Sequence, residues 1–453
     1  MENETTLQSL GYKQELKRVL KLKDAVVYGL AMITPTAPLP MLGIIASLTM
    51  GHMATAYLIA LLGMSLTALS YGKMAAHFPI AGSTYSYTQR CVGNNVGFMA
   101  GWAMIIDYLL IPLMSVIFVA VACSERFPVV PYSAWVVLLA LLLTGINLIG
   151  ISLTSKANTV FSILMVLIVI LFVGLGASFV LNGGGAGTLV SFKPFYTSEL
   201  FKFSTVMAGA SIAVFSYIGF DAISTIAEEV EEPSKNIPRA IVLTCIISGV
   251  IFISITYLAQ LIWPDVATFP DKKETVVFAM AGKIGGRLFD GFVFFIILVA
   301  GVSSALVGQA SGSRLLFSMG RDNVLPKRFF GYISPKYGTP VFNVLLMGII
   351  SLCGGMASSF QQVAEVVNFG AFIGYMCVSL SVIFFYYKNR DKVLSPVGYF
   401  ILPLCAIGTC FFIFINLSRN ALVLGSLWLA VGFILLIIVS RGFTRKIVLR
   451  EIQ

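Results

Sequence analysis

Residues 215–232 read FSYIGFDAISTIAEEVEE and place an acidic residue, Asp221, inside an otherwise apolar run. A carboxylate at membrane depth is costly unless a partner compensates its charge, so Asp221 is a functional-site candidate. Gly219 and the polar residues Ser216 and Tyr217 come just before the acid. This combination predicts a helix that stops and restarts in the middle of the membrane, as in many secondary transporters.

The bulk composition identifies the chain as an all-α polytopic membrane protein. Its 453 residues are 58% hydrophobic and only 11% charged, whereas soluble domains carry about 25% charged residues. Apolar runs of about 20 residues are typical of membrane-spanning helices. Twelve such spans are predicted, at residues 25–50, 53–76, 96–122, 133–153, 157–181, 204–227, 239–262, 287–317, 340–357, 363–387, 397–417 and 421–440.

The cysteines and histidines predict no metal or cofactor site. Seven cysteines lie mostly inside apolar runs without CxxC spacing, and the two histidines, His52 and His77, are far apart. The cysteines are therefore interpreted as small apolar packing residues. The basic N-terminal tail has no cleavage motif after the first apolar run, so no cleaved signal peptide is expected.

The net charge of +10 is explained by membrane topology. With both termini on one side, the predicted spans put 22 of the 30 Lys and Arg residues on that side and 8 on the other. The positive-inside rule therefore predicts a multi-pass protein of the cytoplasmic membrane with both termini in the cytoplasm. No nucleic-acid partner is expected, because the basic residues follow the topology rather than forming one patch.

Polar loops divide the spans into two units of five and a final pair. The predicted organisation is a cytoplasmic tail, two five-helix repeats, helices 11 and 12, and a second cytoplasmic tail, at residues 1–24, 25–181, 204–387, 397–440 and 441–453. Because five is odd, the second unit enters the membrane from the opposite side, which is the arrangement of inverted repeats. The partner of the sixth span is then the first.

The first span contains a matching interruption. Residues 29–43 read GLAMITPTAPLPMLG and include Pro35, Pro38 and Pro40. A proline inside a helix removes an N–H and clashes with the preceding turn, at a cost of about 3 kcal/mol. Such backbone is tolerated at membrane depth only when it is buried in protein or lines a cavity. We therefore expect discontinuous helices in the first and sixth spans, with a proline kink and a glycine packing contact as the simpler alternative.

Four stretches resemble the amino acid–polyamine–organocation (APC) superfamily of permeases. They are SYGKMAAHFPIAGSTYSYTQRCVGNNVGFMAGWAMIIDYLL (70–110), FSYIGFDAISTIAEEVEEPSKNIPRAI (215–241), SSALVGQASGSRLLFSMGRDNVLPKRFFGYISPKYGTP (303–340) and NFGAFIGY (368–375). Within the superfamily, the chain is most similar to bacterial putrescine importers. The resemblance implies a LeuT-like 5+5 inverted repeat with discontinuous helices 1 and 6, plus two extra helices. It also implies alternating access and an amine-bearing substrate bound between the first, third, sixth and eighth spans.

The predicted spans contain two deep acids, Asp107 and Asp221, and no deep lysine or arginine. An unpaired buried carboxylate must be protonated or face a cation, so the charges alone predict a cationic ligand, a coupling proton, or both. Asp107, with Tyr108 beside it, is assigned to substrate binding or proton coupling. The alternative is a carboxylate satisfied by a neighbouring hydroxyl such as that of Ser115.

Two roles stay open for Asp221. It could cap the N-terminus of the second half-helix, or its carboxylate could contact a substrate ammonium directly. The nearby aromatic residues Phe215, Tyr217 and Phe220 could cover the substrate through cation–π contacts or serve packing alone. Phe215 is the preferred gate.

The proline-rich break bears on the other end of the substrate. In amino-acid members of the superfamily, a glycine-rich break lets backbone N–H groups hold the substrate carboxylate. This chain lacks that glycine pattern, and the N–H groups still available are those of Thr36, Ala37, Leu39 and Met41. A weakened carboxylate cradle fits a diamine. Pro40 counts against this interpretation, because putrescine importers carry an acid at that position.

The coupling residues are assigned by resemblance, and the gating residues by their charges. Ser303 and Ser304 in the eighth span resemble a hydroxyl pair that helps to hold sodium in some LeuT-like proteins, with small-residue helix packing as the alternative. Met165 stands where some proton-coupled members have a lysine, which leaves that coupling route in doubt. The acidic residues at 228–232 are most simply a solvated helix end, and the alternative is that they pair with Arg239, Arg314 and Arg321 to close the inner gate.

The leading hypothesis is a secondary active transporter that imports a small amine such as putrescine and is coupled to protons, with sodium as the alternative coupling ion. An amino acid permease or exchanger is the alternative, and a non-transporting membrane sensor is a remote one. An enzyme is not expected, because no nucleophile–base pair or metal-ligand spacing is present. The coupling residues are Asp107, Ser303 and Ser304. The predicted substrate-binding residues are Thr34, Thr36, Ala37, Asp107, Tyr108, Phe215, Ser216, Tyr217, Gly219 and Asp221.

Overall fold

The computed structural model describes residues 18, 20–79, 83–149, 155–227, 229–321, 325–336, 338–390, 393–440 and 442. Only the backbone is described for residues 155–162 and for Thr225, Arg314, Ser318 and Arg321. Most of the predicted N-terminal tail and nearly all of the predicted C-terminal tail lie outside these ranges.

Helices account for nearly all of the described chain, and no β-strand is found within these ranges. The α-helices are α1 (Leu22–Ile33), α2 (Leu42–Leu48), α3 (Met53–His77), α4 (Ser83–Cys91), α5 (Asn94–Arg126), α6 (Tyr132–Ile149), α7 (Ser155–Leu181), α8 (Phe203–Ala213), α9 (Pro233–Ile262), α10 (Val276–Arg321), α11 (Lys327–Phe330), α12 (Val341–Ala357), α13 (Phe360–Lys388), α14 (Leu402–Phe414) and α15 (Arg419–Val439). Short 3₁₀ helices lie at Leu39–Met41, Val214–Tyr217, Phe220–Ile226, Val266–Thr268 and Lys273–Thr275, and a π-helical turn lies at Val397–Ile401. The predicted all-α class is confirmed.

Ten helical segments of the described chain are long and apolar enough to cross a membrane, and they correspond to ten of the twelve predicted spans. The predicted span 340–357 corresponds to α12, which is apolar but has only 17 residues. The predicted span 25–50 is divided among α1, a 3₁₀ helix and α2. Many large apolar side chains are exposed on the outward faces of these helices, as expected for contact with lipid.

Both predicted helix interruptions are present. The first helix ends at Ile33, because Thr34 precedes Pro35 and takes a positive φ of 58°. The chain turns through residues 34–38 before the helical path resumes. In the sixth predicted span, α8 gives way to a 3₁₀ helix, and Gly219 then separates it from the next one with a φ of 118°.

The helices pack in two groups that place the interruptions centrally. In one group, α3 packs along α9, α1 packs on α9, and α8 packs on α3. In the other, α5 contacts α6, α10 and α12, and it also packs on α13. The broken helices therefore belong to one group and Asp107, on α5, to the other. Gly312 lets α10 approach α5 closely, since a Cβ there would lie 3.0 Å from the Tyr108 carbonyl oxygen.

A pair of stacked indoles fixes α15 to α5. The rings of Trp102 and Trp428 are 4.6 Å apart at 12°. Trp102 Nε1 donates to the Trp428 carbonyl, and Trp428 Nε1 donates to the Trp102 carbonyl, each at 2.9 Å. This reciprocal pairing satisfies both buried indole donors and attaches the last helix to the centre of the bundle.

Candidate functional site

The two helix interruptions touch each other at Gly219. A Cβ built on this glycine would lie 3.0 Å from the Met32 carbonyl oxygen and 3.2 Å from the Ile33 nitrogen. Its φ of 118° is also strained for residues with a side chain. Glycine is therefore required both by the local conformation and by the close approach of the first break.

The first break uses most of its own N–H groups. Those of Ala37, Leu39 and Met41 donate to the carbonyls of Thr34, Thr36 and Pro38, each at 2.9 Å. Of the four predicted cradle donors, only the Thr36 N–H makes no hydrogen bond within the described residues. The predicted residues Thr34, Thr36 and Ala37 thus lie at the break, but little of their backbone is free to hold a carboxylate.

Asp107 is a buried acid without a protein partner in the described part of the chain. It is 8% exposed, and its Oδ1 makes no hydrogen bond to any described residue. The proposed alternative partner, Ser115, does not bond to that oxygen. Asp107 interacts electrostatically with Asp221, so two carboxyl groups on different helices lie near each other. Such an arrangement favours a proton or a cationic ligand between them.

Asp221 is held in the first turn of the 3₁₀ helix Phe220–Ile226. Its carboxylate lies against the backbone N–H groups of Gly219, Ala222 and Asp221 itself. Ser224 Oγ donates to the Asp221 carbonyl at 2.6 Å. The N-cap position of this turn is held by Gly219, and no side chain caps it, so the predicted N-cap role of Asp221 is replaced by that of an acid in the first turn. The half-buried carboxylate lies within electrostatic range of Asp107, and direct contact with a substrate ammonium stays a prediction.

Two tyrosines lie within electrostatic range of both acids. Tyr108, which the sequence predicted, is partly exposed and interacts with Asp107, Asp221 and Tyr28. Tyr375, on α13, is fully buried, and its hydroxyl has no hydrogen-bond partner among the described residues. Tyr375 was missed, although it ends the 368–375 stretch that carried part of the family resemblance.

The other side chains of the second break are two polar residues that hydrogen-bond to α3 and two phenylalanines. Ser216 and Tyr217 are fully buried and bond to α3: Ser216 Oγ lies 2.9 Å from Tyr57 Oη, and Tyr217 Oη donates to the Tyr57 carbonyl at 3.2 Å. Phe215 is half-buried at the start of the break. Phe220 packs between Tyr71 and Tyr375, at 5.5 and 5.3 Å. The Ser216 and Tyr217 side chains therefore hydrogen-bond to Tyr57 and not to Asp107.

Two polar residues of α13 were missed by the sequence analysis. Asn368 is buried, and its Nδ2 donates to the Ser211 carbonyl at 2.6 Å, near the end of α8. Glu365 is 4% exposed and accepts hydrogen bonds from Gln361 Nε2 at 2.9 Å and the Ser418 N–H at 3.2 Å. Glu365 lies near the start of α13, at the end of its predicted span, so it is a buried acid outside the deep part of the span. Glu365 differs from Asp107 because both of its carboxylate oxygens have partners.

The predicted coupling pair on α10 is not enclosed in this structure. Ser303 is half-buried, whereas Ser304 is exposed. Among the three predicted coupling residues, Asp107 is the buried one, and its Oδ1 lacks a hydrogen-bond partner within the described residues.

The described contacts at the two ends of the bundle differ from the predicted gate. At the end that contains residues 228–232, the Leu20 N–H donates to the Glu229 carbonyl at 3.0 Å, and the Glu231 N–H donates to the Leu20 carbonyl at 2.8 Å. Glu232 pairs with Lys235, one turn away, at 3.0 Å. Arg239 forms no ion pair within the described ranges, and Glu228 and the side chains of Arg314 and Arg321 lie outside them. At the other end, Lys272 pairs with Glu125 and Arg126 with Asp290.

Comparison with known proteins gives a consistent result over nearly the whole chain. Residues 24–446 match the amino acid permease family model. The chain is 36% identical over 438 residues to the low-affinity putrescine importer PlaP of Escherichia coli (strain K12), and the alignment covers 96% of each protein. It is 26% identical to the branched-chain amino acid permease BcaP of Bacillus subtilis (strain 168), covering 96% of this chain and 95% of the relative. These relatives are named as transporters and not as enzymes.

Proposed function

This chain belongs to the amino acid permease family of membrane transporters, and we propose that it imports a small amine of the putrescine class by alternating access. The observation that carries this proposal is the pair of acids at the helix breaks. Asp107 and Asp221 interact, and neither forms an ion pair within the described ranges. A cationic ligand would supply the missing charge.

The proposed architecture has twelve spans with both termini in the cytoplasm. Residues 25–181 and 204–387 would form LeuT-like inverted repeats, followed by two helices at 397–440. The support comes from the two interruptions, which lie at corresponding positions of the two units and contact each other at Gly219. In this family of architectures, one repeat or bundle rocks against the other around a substrate site near the bilayer centre.

The backbone of the first break supports a diamine over an amino acid. Putrescine has an ammonium at each end and no carboxylate. Three of the four candidate N–H donors bond within the break, so a substrate carboxylate would find few free donors there. We propose that Asp107 binds one ammonium and that Asp221, held by its own helical turn, stabilises the positive charge electrostatically. The Pro40 position supplies no acid for the second ammonium.

Proton coupling follows from the same pair of acids. When no ammonium is bound, two nearby carboxylates in a low-dielectric site would repel each other, and a proton on one of them relieves this repulsion. The proton would be carried on one acid while the substrate ammonium binds at the other, so that both enter together. An inward proton gradient should accordingly accelerate uptake, and a protonophore should abolish that acceleration.

Amino acid transport is the second candidate. The free Thr36 N–H and the similarity to a branched-chain amino acid permease favour it. The deciding experiment uses purified protein in liposomes with an imposed proton gradient. Labelled putrescine, spermidine, leucine and arginine are offered separately. Saturable uptake of putrescine without leucine uptake supports the proposal, whereas leucine uptake without putrescine uptake selects the second candidate.

A further inference from the structure

A cavity lies between the end of α13 and the start of α14, far along the chain from the two acids. It has a volume of about 520 Å³ and is lined by aromatic, apolar and basic side chains. The residues that matter are Tyr386, Tyr387, Arg390, Leu394 and Phe400. The cavity opens at the periphery of the bundle, and its position at the end of a predicted span corresponds to the level of the lipid headgroups.

The basic group of this cavity is available for an anion. The Arg390 guanidinium carbon lies 4.7 Å from the centre of the Tyr387 ring, which orients its planar group. Arg390 is exposed and forms no ion pair with any described acid. The following residues, Asp391 and Lys392, lie outside the described ranges, and the three-residue sequence keeps a net positive charge.

The surroundings of Arg390 are also basic. Lys388, two residues earlier, directs its ammonium to the Cys91 carbonyl at 2.6 Å. Lys73 lies over the ring of Tyr399 at 4.1 Å, beside the start of α14. All three cations are on the side of the membrane that carries most of the Lys and Arg residues of the chain. This surface therefore attracts anionic headgroups.

An apolar face continues from the cavity toward the middle of the membrane. Val397, Ile401 and Leu404 follow one another at helical spacing and are exposed by 55%, 47% and 51%. Such a face can pack against an acyl chain, whereas a free phosphate ion would make no apolar contact with it. The ring of Phe400 packs edge to face on that of Tyr387, with ring centres 6.0 Å apart. This pair lies between Arg390 and the exposed apolar face.

We propose that this cavity binds an anionic phospholipid. Its phosphate accepts hydrogen bonds from the Arg390 guanidinium, the hydroxyls of Tyr386 and Tyr387 lie at headgroup depth, and one acyl chain follows the exposed face of α14. A guanidinium suits phosphate because it presents several donors in one plane. The site is separate from the proposed substrate site, and its occupancy does not depend on which substrate is carried.

The test measures lipid binding to the purified full-length protein in detergent by native mass spectrometry. Dioleoylphosphatidylglycerol is titrated, with dioleoylphosphatidylcholine as the zwitterionic comparison. Arg390→Gln should weaken phosphatidylglycerol binding about fivefold, the effect of one basic residue at an anionic membrane surface. Arg390→Lys should retain most of the binding. Arg328→Gln removes an exposed arginine on the same side of the membrane but outside the cavity, and should change nothing.

Four results would overturn the proposal, and three of them are comparisons of binding. They are equal binding by wild type and Arg390→Gln, an equal loss in Arg328→Gln, and equally tight binding of phosphatidylcholine. Displacement of the lipid by soluble glycerophosphoglycerol would indicate an anion site without an acyl-chain component, which also contradicts it. An unchanged elution profile and Tm of the lipid-free variants confirm that each is folded. None of these readouts measures transport, so the result is independent of the proposed function.

Discussion

Asp107 and Asp221 interact with each other but are held in different ways. The Asp221 carboxylate lies against N–H groups of its own helical turn, whereas Asp107 Oδ1 has no partner within the described residues. Asp107 therefore has the larger unmet demand for a proton or an ammonium group. Asp221 combines a structural role at the restart of the helix with an electrostatic one.

Tyr375 gives the first prediction at this scale. Its hydroxyl is buried, lacks a protein partner within the described ranges and lies in electrostatic range of both acids. Tyr375→Phe should raise the KM for putrescine about fivefold, the effect of losing one hydrogen bond to a charged site. The Tm should not fall, because no hydrogen bond within the protein is removed. Concentration-dependent uptake and thermal unfolding measure the two effects.

Tyr57→Phe is the matched control for Tyr375. The Tyr57 hydroxyl bonds to Ser216 Oγ at 2.9 Å, so its loss leaves a buried hydroxyl unpaired. This variant should lose about 1 kcal/mol of stability and keep its KM. The reverse pattern, with the KM changed in Tyr57→Phe and the Tm lowered in Tyr375→Phe, would contradict the assignment of the two tyrosines.

Gly219 gives the second prediction. Gly219→Ala should destabilise the break by about 1–3 kcal/mol, because its φ is strained for alanine and the Met32 carbonyl lies 3.0 Å from the new Cβ. Uptake should fall together with the Tm. Gly174→Ala in α7 is the control, since no atom lies within 4 Å of its Cβ position, and it should behave as wild type. Normal uptake by Gly219→Ala would show that the contact between the breaks is dispensable.

At the level of elements, the positions of the helix breaks could be predicted from the sequence, but their internal hydrogen bonds could not. Three prolines predicted the first interruption, and Gly219 before Asp221 predicted the second. The hydrogen bonds inside the first break could not be predicted, because they depend on the turn that residues 34–41 adopt. That detail matters, since it determines which N–H groups remain for a substrate carboxylate.

The backbone contact at Leu20 gives a prediction at the same scale. Its backbone forms two hydrogen bonds with residues 229–231, which joins the segment before α1 to the segment after the second break. Leu20→Pro removes the donor to the Glu229 carbonyl and should weaken this closure. We expect slower net uptake and faster efflux of preloaded putrescine from proteoliposomes.

Leu20→Ala separates the backbone from the side chain. It keeps both hydrogen bonds and should transport putrescine at close to the wild-type rate. If Leu20→Ala and Leu20→Pro are impaired equally, the side chain rather than the backbone bridge closes this end of the bundle. The predicted ion pairs with residues 228–232 would then be the better explanation of how this end closes.

At the scale of the whole molecule, the least predictable features are contacts between distant helices. Composition and apolar runs were enough to predict the all-α class and ten of the spans. The stacked tryptophans are 326 residues apart, and Asn368 bonds to a carbonyl 157 residues earlier. A single sequence contains no signal for such pairs. Polar residues in apolar runs, such as Glu365 and Asn368, were the available indication that partners exist.

The tryptophan pair gives a stability prediction. Trp428→Phe keeps a stacked ring but removes the hydrogen bond to the Trp102 carbonyl, which should cost about 1 kcal/mol. Trp135→Phe is the control, because the buried Trp135 Nε1 has no partner among the described residues. Thermal unfolding should show a larger decrease in Tm for Trp428→Phe. Equal decreases would mean that the indole hydrogen bond contributes nothing.

The most direct measurement is labelled putrescine uptake into proteoliposomes by wild type, Asp107→Asn and Glu365→Gln. We predict saturable uptake by the wild type and about 30-fold lower kcat/KM for Asp107→Asn, equivalent to about 2 kcal/mol for a lost buried charge partner. Glu365→Gln alters an equally buried acid that already has protein partners, and it should transport normally. Putrescine uptake that survives intact in Asp107→Asn would contradict the account.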